Sequence, residues 1–234
     1  MEIKPNVTPS LHPGNIEAID GYNDDTRGYV NAAVDALSTA YDSLGKIHEA
    51  KAAASKNQAF NEHQQVLVVA DFAEKHQTLV AKKFDSAVAS LTKGIDAMDA
   101  MLNNPIKADA ERLNVAQEIR AHTKGLSVDE RLKFLTDAHD AGDTETLRAV
   151  LGAPAYLSGM SEQERQVRTR MFHEKNSPET ANRLKVMRAA RDMLLQRGGL
   201  VLTEVEKGIG AKWDKVQHLR KGQSAAEKAL TFNG

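Results

Sequence analysis

Residues 84–102 read FDSAVASLTKGIDAMDAML. Within them Phe84, Val88, Leu91, Ile95, Met98 and Leu102 recur at alternating steps of four and three. That spacing gathers apolar side chains on one face of an α-helix and matches the seam of a coiled coil. The same pattern extends upstream. No proline stands between Pro13 and Pro105, and from Tyr29 to Asn104 the only glycines are Gly45 and Gly94. Good helix formers (Ala, Lys, Gln, Glu, Leu) dominate this stretch. Val30, Val34, Leu37, Tyr41 and Leu44 form a second apolar stripe. The stretch therefore predicts one or two very long helices. They start near Asp25 or Thr26, both good N-caps, and end at Asn103-Asn104-Pro105. Ser55-Lys56-Asn57 is the only plausible turn before Phe60. A bend there makes a long antiparallel hairpin, whereas a straight passage makes a rod of roughly 110 Å. The hairpin is the expected form, because its two helices bury each other's stripes.

Composition supports an all-α fold. The chain has 234 residues, room for one large domain or two small ones. Aromatics are 5% of it, so its core is built from Ala, Val, Leu, Ile and Met, which suits helix-on-helix packing. It has no cysteine, which excludes disulfides, thiol catalysis and thiolate metal sites. The longest apolar run, Val66 to Ala70, falls far short of the roughly 20 residues that cross a bilayer. The N-terminus, Met1-Glu2-Ile3-Lys4-Pro5, lacks an apolar signal region, so export by a signal peptide is not expected.

The remaining segments divide by their punctuation. Residues 1–28 read as an extended N-terminal arm, broken by Pro5, Pro9, Pro13, Gly14, Gly21 and Gly28. Such a segment does not bury enough to order itself, so another surface is expected to hold it. Residues 29–104 are the long hairpin or rod, 105–222 a domain of shorter helices, and 223–234 a tail. In the short-helix domain one helix is expected from Ala108 to His122. Ser127-Val128-Asp129-Glu130 and Ser161-Glu162-Gln163-Glu164 are capping boxes. Asp143 caps another helix, and Ser177-Pro178 opens one that Gly198-Gly199 is expected to stop. No β pattern occurs.

Charge is uneven although the net is −1. Residues 1–105 carry 9 basic against 14 acidic side chains, and residues 183–234 carry 11 against 5. An acidic front and a basic end suggest either contact between copies or a nucleic-acid contact. The second alternative would use Arg183, Lys185, Arg188, Arg191, Lys212, Trp213 and Lys215, with phosphates on the cations and Trp213 stacking. Acidic residues interleave with these cations, at Asp192, Glu204, Glu206 and Asp214, which favours a solvated helix face.

Motifs for chemistry are sparse. Asp137, His139, Asp140, Asp143 and Glu145 form the densest polar cluster, but Gly142-Asp143 is what a helix end followed by an N-cap looks like. His48-Glu49 and His173-Glu174 lack the second histidine of a zinc-protease helix, since Ala52 and Ser177 stand where it is needed. Ser43-Leu44-Gly45-Lys46 matches a Ser-x-x-Lys pattern without its companion motifs. No phosphate-binding loop or nucleophile elbow is present. No catalytic, cofactor-binding or metal-ligating residue is therefore assigned, and no cofactor is expected.

The run Gly152-Ala153-Pro154-Ala155-Tyr156-Leu157-Ser158-Gly159-Met160-Ser161, with Ser177-Pro178-Glu179 and the helix Leu184 to Leu195, resembles helical proteins of tailed-phage and prophage structural gene clusters. The resemblance spans residues 108–210 and rests on turn and cap chemistry. It implies a virion-associated or assembly role, at the neck, inside the head or as a scaffold, and with the long helices the expectation is a non-enzymatic structural protein working as a homo-oligomer. It further implies other structural proteins as partners, with the chain in the virion or the bacterial cytoplasm. Self-association is expected through Phe84, Val88, Leu91, Ile95, Met98 and Leu102.

Overall fold

The computed structural model describes residues 3–107 and 111–231, which are helical with no strand among them. Single turns come first, a 3-10 turn at Pro9–Leu11 and α1 at Gly14–Glu17. The long helices α2 (Asp24–Lys56) and α3 (Glu62–Leu102) follow. Next are α4 (Leu113–Gly125), α5 (Val128–Ala141), α6 (Thr144–Leu151), a 3-10 turn at Ala155–Ser158 and α7 (Glu162–Asn176). The chain closes with α8 (Pro178–Ile209) and α9 (Trp213–Leu230). Two compact units result, one of Met1–Gly94 with Lys185–Gly234, the other of Ile95–Leu184. The division expected from composition was linear along the chain, whereas the first unit joins both ends of it.

The break between α2 and α3 lies at residues 57–61 and rests on side-chain caps rather than on Gly or Pro. Asn57 Oδ1 accepts from the Ala59 N–H at 3.0 Å. Asn61 and Gln64 then satisfy each other: Asn61 Oδ1 accepts from Gln64 N–H, and Gln64 Oε1 from Asn61 N–H, both at 2.9 Å. This is a reciprocal capping box written with amides. α2 opens the same way, on Asn23 with Thr26, two to three residues ahead of the caps expected from sequence.

In the first unit α2 and α3 pack together. His76 Nδ1 lies 3.1 Å from Ser43 Oγ, and Lys83 Nζ bonds Asp35 Oδ2 at 2.6 Å. Val30, Ala33, Leu37, Ala40, Leu44 and Ile47 of α2 are buried, as are Val69, Ala73, Val80, Phe84 and Leu91 of α3. α8 adds Val186, Ala190, Leu194, Val201, Val205 and Ile209 to the buried set, and α9 adds Val216. Close approach fixes one glycine here: a Cβ at Gly208 would lie 2.7 Å from Ile47 Cγ2.

The N-terminal segment makes contacts with its own chain. Val7, Leu11 and Ile16 are buried. The Lys4 N–H donates to Tyr41 Oη at 2.8 Å, and Lys4 Nζ pairs with Asp42 at 2.8 Å. Arg197 donates to the Ser10 carbonyl. Burying three apolar side chains supplies the ordering energy that a polar arm lacks.

Two expected helix ends are also corrected. α8 runs through Gly198-Gly199 as far as Ile209, and Gly210, at φ +82°, ends it. Two interior glycines cost the helix about 1 kcal/mol each, which the buried row from Val186 to Ile209 outweighs. The expected tail from 223 belongs to α9, which reaches Leu230.

The second unit is built from α4 to α7. Leu135, Ala138, Leu147, Val150, Leu151, Ala155, Met160 and Phe172 form its core with Ile106. Caps position these helices. Ser127 and Glu130 make the expected capping box at α5, and Ser161 caps α7. Gly142, at φ +71°, ends α5 in the left-handed region that favours glycine. The helix expected from Ala108 begins instead at Leu113, and its first expected residues, 108–110, lie outside the described ones.

Candidate functional site

The apolar seam of α3 points largely into the protein. Phe84, Leu91, Ile95 and Leu102 are buried, and Val88 and Met98 are half-buried. The face expected to meet another copy is thus covered by the chain itself. The reason is physical: a six-residue apolar stripe is satisfied equally well by a helix of its own chain as by one from a neighbour.

Part of the basic end is engaged within the chain. Lys185 pairs with Asp20. Arg191 Nη2 meets Asp192 at 2.8 Å, and Arg183 and Arg188 are engaged as well. Arg220 Nη2 reaches Glu74 at 2.7 Å and Asp71 at 2.6 Å, and those two carboxylates raise its pKa above the ordinary guanidinium value. Lys185 and Arg220 of the basic end thus pair with carboxylates of the acidic front within the first unit. Lys212 and Lys215 are exposed, while Trp213 is half-buried. Trp213 shares a groove with Glu74, Asp85 and Gln217. Its backbone N–H donates to Glu206 Oε1 at 3.1 Å. Lys82 lines the same groove, so both signs of charge stand around the indole.

The Asp137–Glu145 cluster is dispersed over structural tasks. Asp143 caps α6, accepting from the Thr146 N–H at 3.0 Å, and that bond holds its carboxyl below the usual carboxylate range. Glu145 pairs with Arg112 at 2.7 Å. His139 Nδ1 lies 3.2 Å from Asp140 Oδ1, and Lys175 donates to the carbonyls of both residues. Among the described residues no group of three His, Asp or Glu side chains is arranged to hold a metal ion. Nor is any of their helices long and apolar enough to cross a membrane.

Two histidines of the first unit are electrostatically informative. Burial depresses the pKa of His48, Lys51 depresses it further, and Glu204 acts the other way. Its Nε2 is buried without a partner. Burial likewise depresses His76, helped by Lys46. Both imidazoles are held neutral in the fold, while in the unfolded chain each takes up a proton near its ordinary value of 6.5. Their contribution to stability is therefore complete above pH 6.5 and is lost as pH falls through the depressed folded values. The urea midpoint is expected to drop between pH 7.5 and 5.5. A His48→Gln, His76→Gln double variant is expected to flatten that slope, and an unchanged slope would show that other groups set it.

What sequence inspection missed is the apolar surface left outward. In the second unit Leu132 of α5 and Val167 and Met171 of α7 line a shallow groove, and Val128 stands exposed one turn before Leu132. Arg168 spans its edge, with Nε bonded to Glu164 at 3.2 Å. In the first unit Leu195 and Leu202 of α8 are exposed. The signal was present as leucines seven apart, but the intervening Gly198-Gly199 read as a helix stop.

These features define an all-helical protein with several apolar side chains left exposed on its helices and with caps and ion pairs positioning many of its polar groups. Comparison with protein-family models, with curated proteins and with solved structures finds no match for the chain.

Proposed function

We propose that this chain is a non-enzymatic structural protein, working as a homo-oligomeric component of a phage virion at the neck, inside the head or as a scaffold. In this view α2 and α3 act as a coiled-coil-like antiparallel hairpin that stiffens the first unit and leaves other helix faces free to dock. The observation that carries the proposal is the outward apolar surface on helices. Leu195 and Leu202 lie in one unit and Val128, Leu132, Val167 and Met171 in the other. Rows of this kind, on helices already anchored by buried partners, suit protein–protein contact. The run from Gly152 to Ser161 and its likeness to tailed-phage structural proteins supports the virion setting.

Native mass measured by light scattering is expected to be a small integer multiple of the chain mass of 25.6 kDa. A monomer at every accessible concentration would remove the homo-oligomeric part of the proposal. Peptides of the chain are expected in purified virus particles, and their absence would remove the virion part.

A further inference from the structure

Gly198 and Gly199 sit in the interior of α8, where glycine weakens a helix. Gly208 has a packing reason, against Ile47, whereas Gly28 and Gly222 stand singly in open space. At Gly198 and Gly199 an added Cβ would meet nothing within 4 Å. Nothing near them in the described chain accounts for their small size.

Their surroundings are ordered about the midpoint between them. Leu195 and Leu202 are equally far from that midpoint along the helix, and Arg191 and Glu206 are equally far beyond them. At about 100° per residue all six fall on one stripe. The leucines are exposed, at 61% and 45%, while Val186, Ala190, Leu194, Val201, Val205 and Ile209 of the same helix are buried; Leu200, exposed as well, lies outside the stripe. The two ends of the stripe carry opposite charge. Arg191 uses Nε and Nη2 on Asp192, and Glu206 accepts one backbone N–H at Oε1. Each keeps capacity for one more partner.

We propose that this face of α8 docks on the same face of a second copy, the two helices antiparallel about a twofold axis passing between Gly198 and Gly199. The inference rests on the homo-oligomeric reading above and names its interface. A twofold contact brings residue i against j and j against i. Here it sets Leu195 against the other copy's Leu202, glycine against glycine, and Arg191 against Glu206, twice over. The glycine pair lets the helix backbones approach where they cross, and the leucines close over the flanks. A parallel arrangement would set Arg191 against Arg191 and Glu206 against Glu206, so the charges select the antiparallel one.

The test is light scattering on the full chain with circular dichroism alongside. A Leu195→Asp, Leu202→Asp double variant replaces two exposed side chains, so native helix content is expected with half the wild-type mass. Arg191→Glu alone is expected to weaken association at least tenfold, and adding Glu206→Arg to restore it. Because the chain has no cysteine, a Gly199→Cys variant is expected to give a disulfide-linked dimer on mild oxidation. If wild type is oligomeric but the double aspartate variant keeps its mass and Gly199→Cys fails to crosslink, this interface is wrong and the oligomeric reading stands. If wild type is monomeric throughout, both fail.

Discussion

Leu91→Asp is expected to unfold the chain rather than to split an oligomer. Leu91 is 1% exposed within a single copy. Removing its apolar burial costs about 1.5–3 kcal/mol. An unpaired carboxylate in its place adds several kcal/mol more. The total exceeds about 4 kcal/mol, a large part of the 5–15 kcal/mol that holds a typical domain together. Urea denaturation followed by circular dichroism is expected to show a collapsed midpoint, with helix content lost at moderate denaturant. A variant that kept native helicity and merely fell to monomer mass would return the α3 seam to the role of an intermolecular contact.

Tyr41→Ala is expected to cost about 3–5 kcal/mol, the range for deleting a large buried aromatic side chain. Tyr41 is 1% exposed. Its ring meets His12 edge-on at 5.1 Å between centroids, and its hydroxyl accepts the Lys4 N–H at 2.8 Å. The substitution therefore removes both a core side chain and the anchor of the N-terminal segment. Limited proteolysis is expected to cut the variant within residues 4–20 well before wild type. Tyr41→Phe keeps the ring and loses one hydrogen bond, so its cost is expected near 0.5–1.5 kcal/mol. Equal protease resistance in Tyr41→Ala and wild type would mean that this segment is not held through Tyr41.

Much of the fold was legible because helices announce themselves locally. Ser127 with Glu130, Ser161, Asp143 and Ser177-Pro178 marked helix starts in the second unit, since a cap needs only residues three positions apart. Gly198-Gly199 misled because a stop signal is a local preference of about 1 kcal/mol per residue, and burial of apolar side chains on both sides of it along the helix overrode it. The cap at Asn61-Gln64 was overlooked because amides replace the more familiar Ser and Glu. The outward stripe of α8 stayed hidden for the same cause as the wrong helix end: once the helix is cut at Gly198, Leu195 and Leu202 no longer share a face.

The all-helical class, the long helices and their apolar stripes follow from composition and from periods of three and four residues, quantities that neighbouring residues set among themselves. The partner of each stripe does not follow from them. Six apolar positions on α3 suit a second copy or the same chain alike. An acidic front and basic end suit another molecule or one another. Contacts such as Lys185 with Asp20 and Arg220 with Glu74 join residues far apart in the chain. Only the folded arrangement could turn the α3 seam inward and pair part of the basic end with the acidic front, leaving the α8 leucines outside.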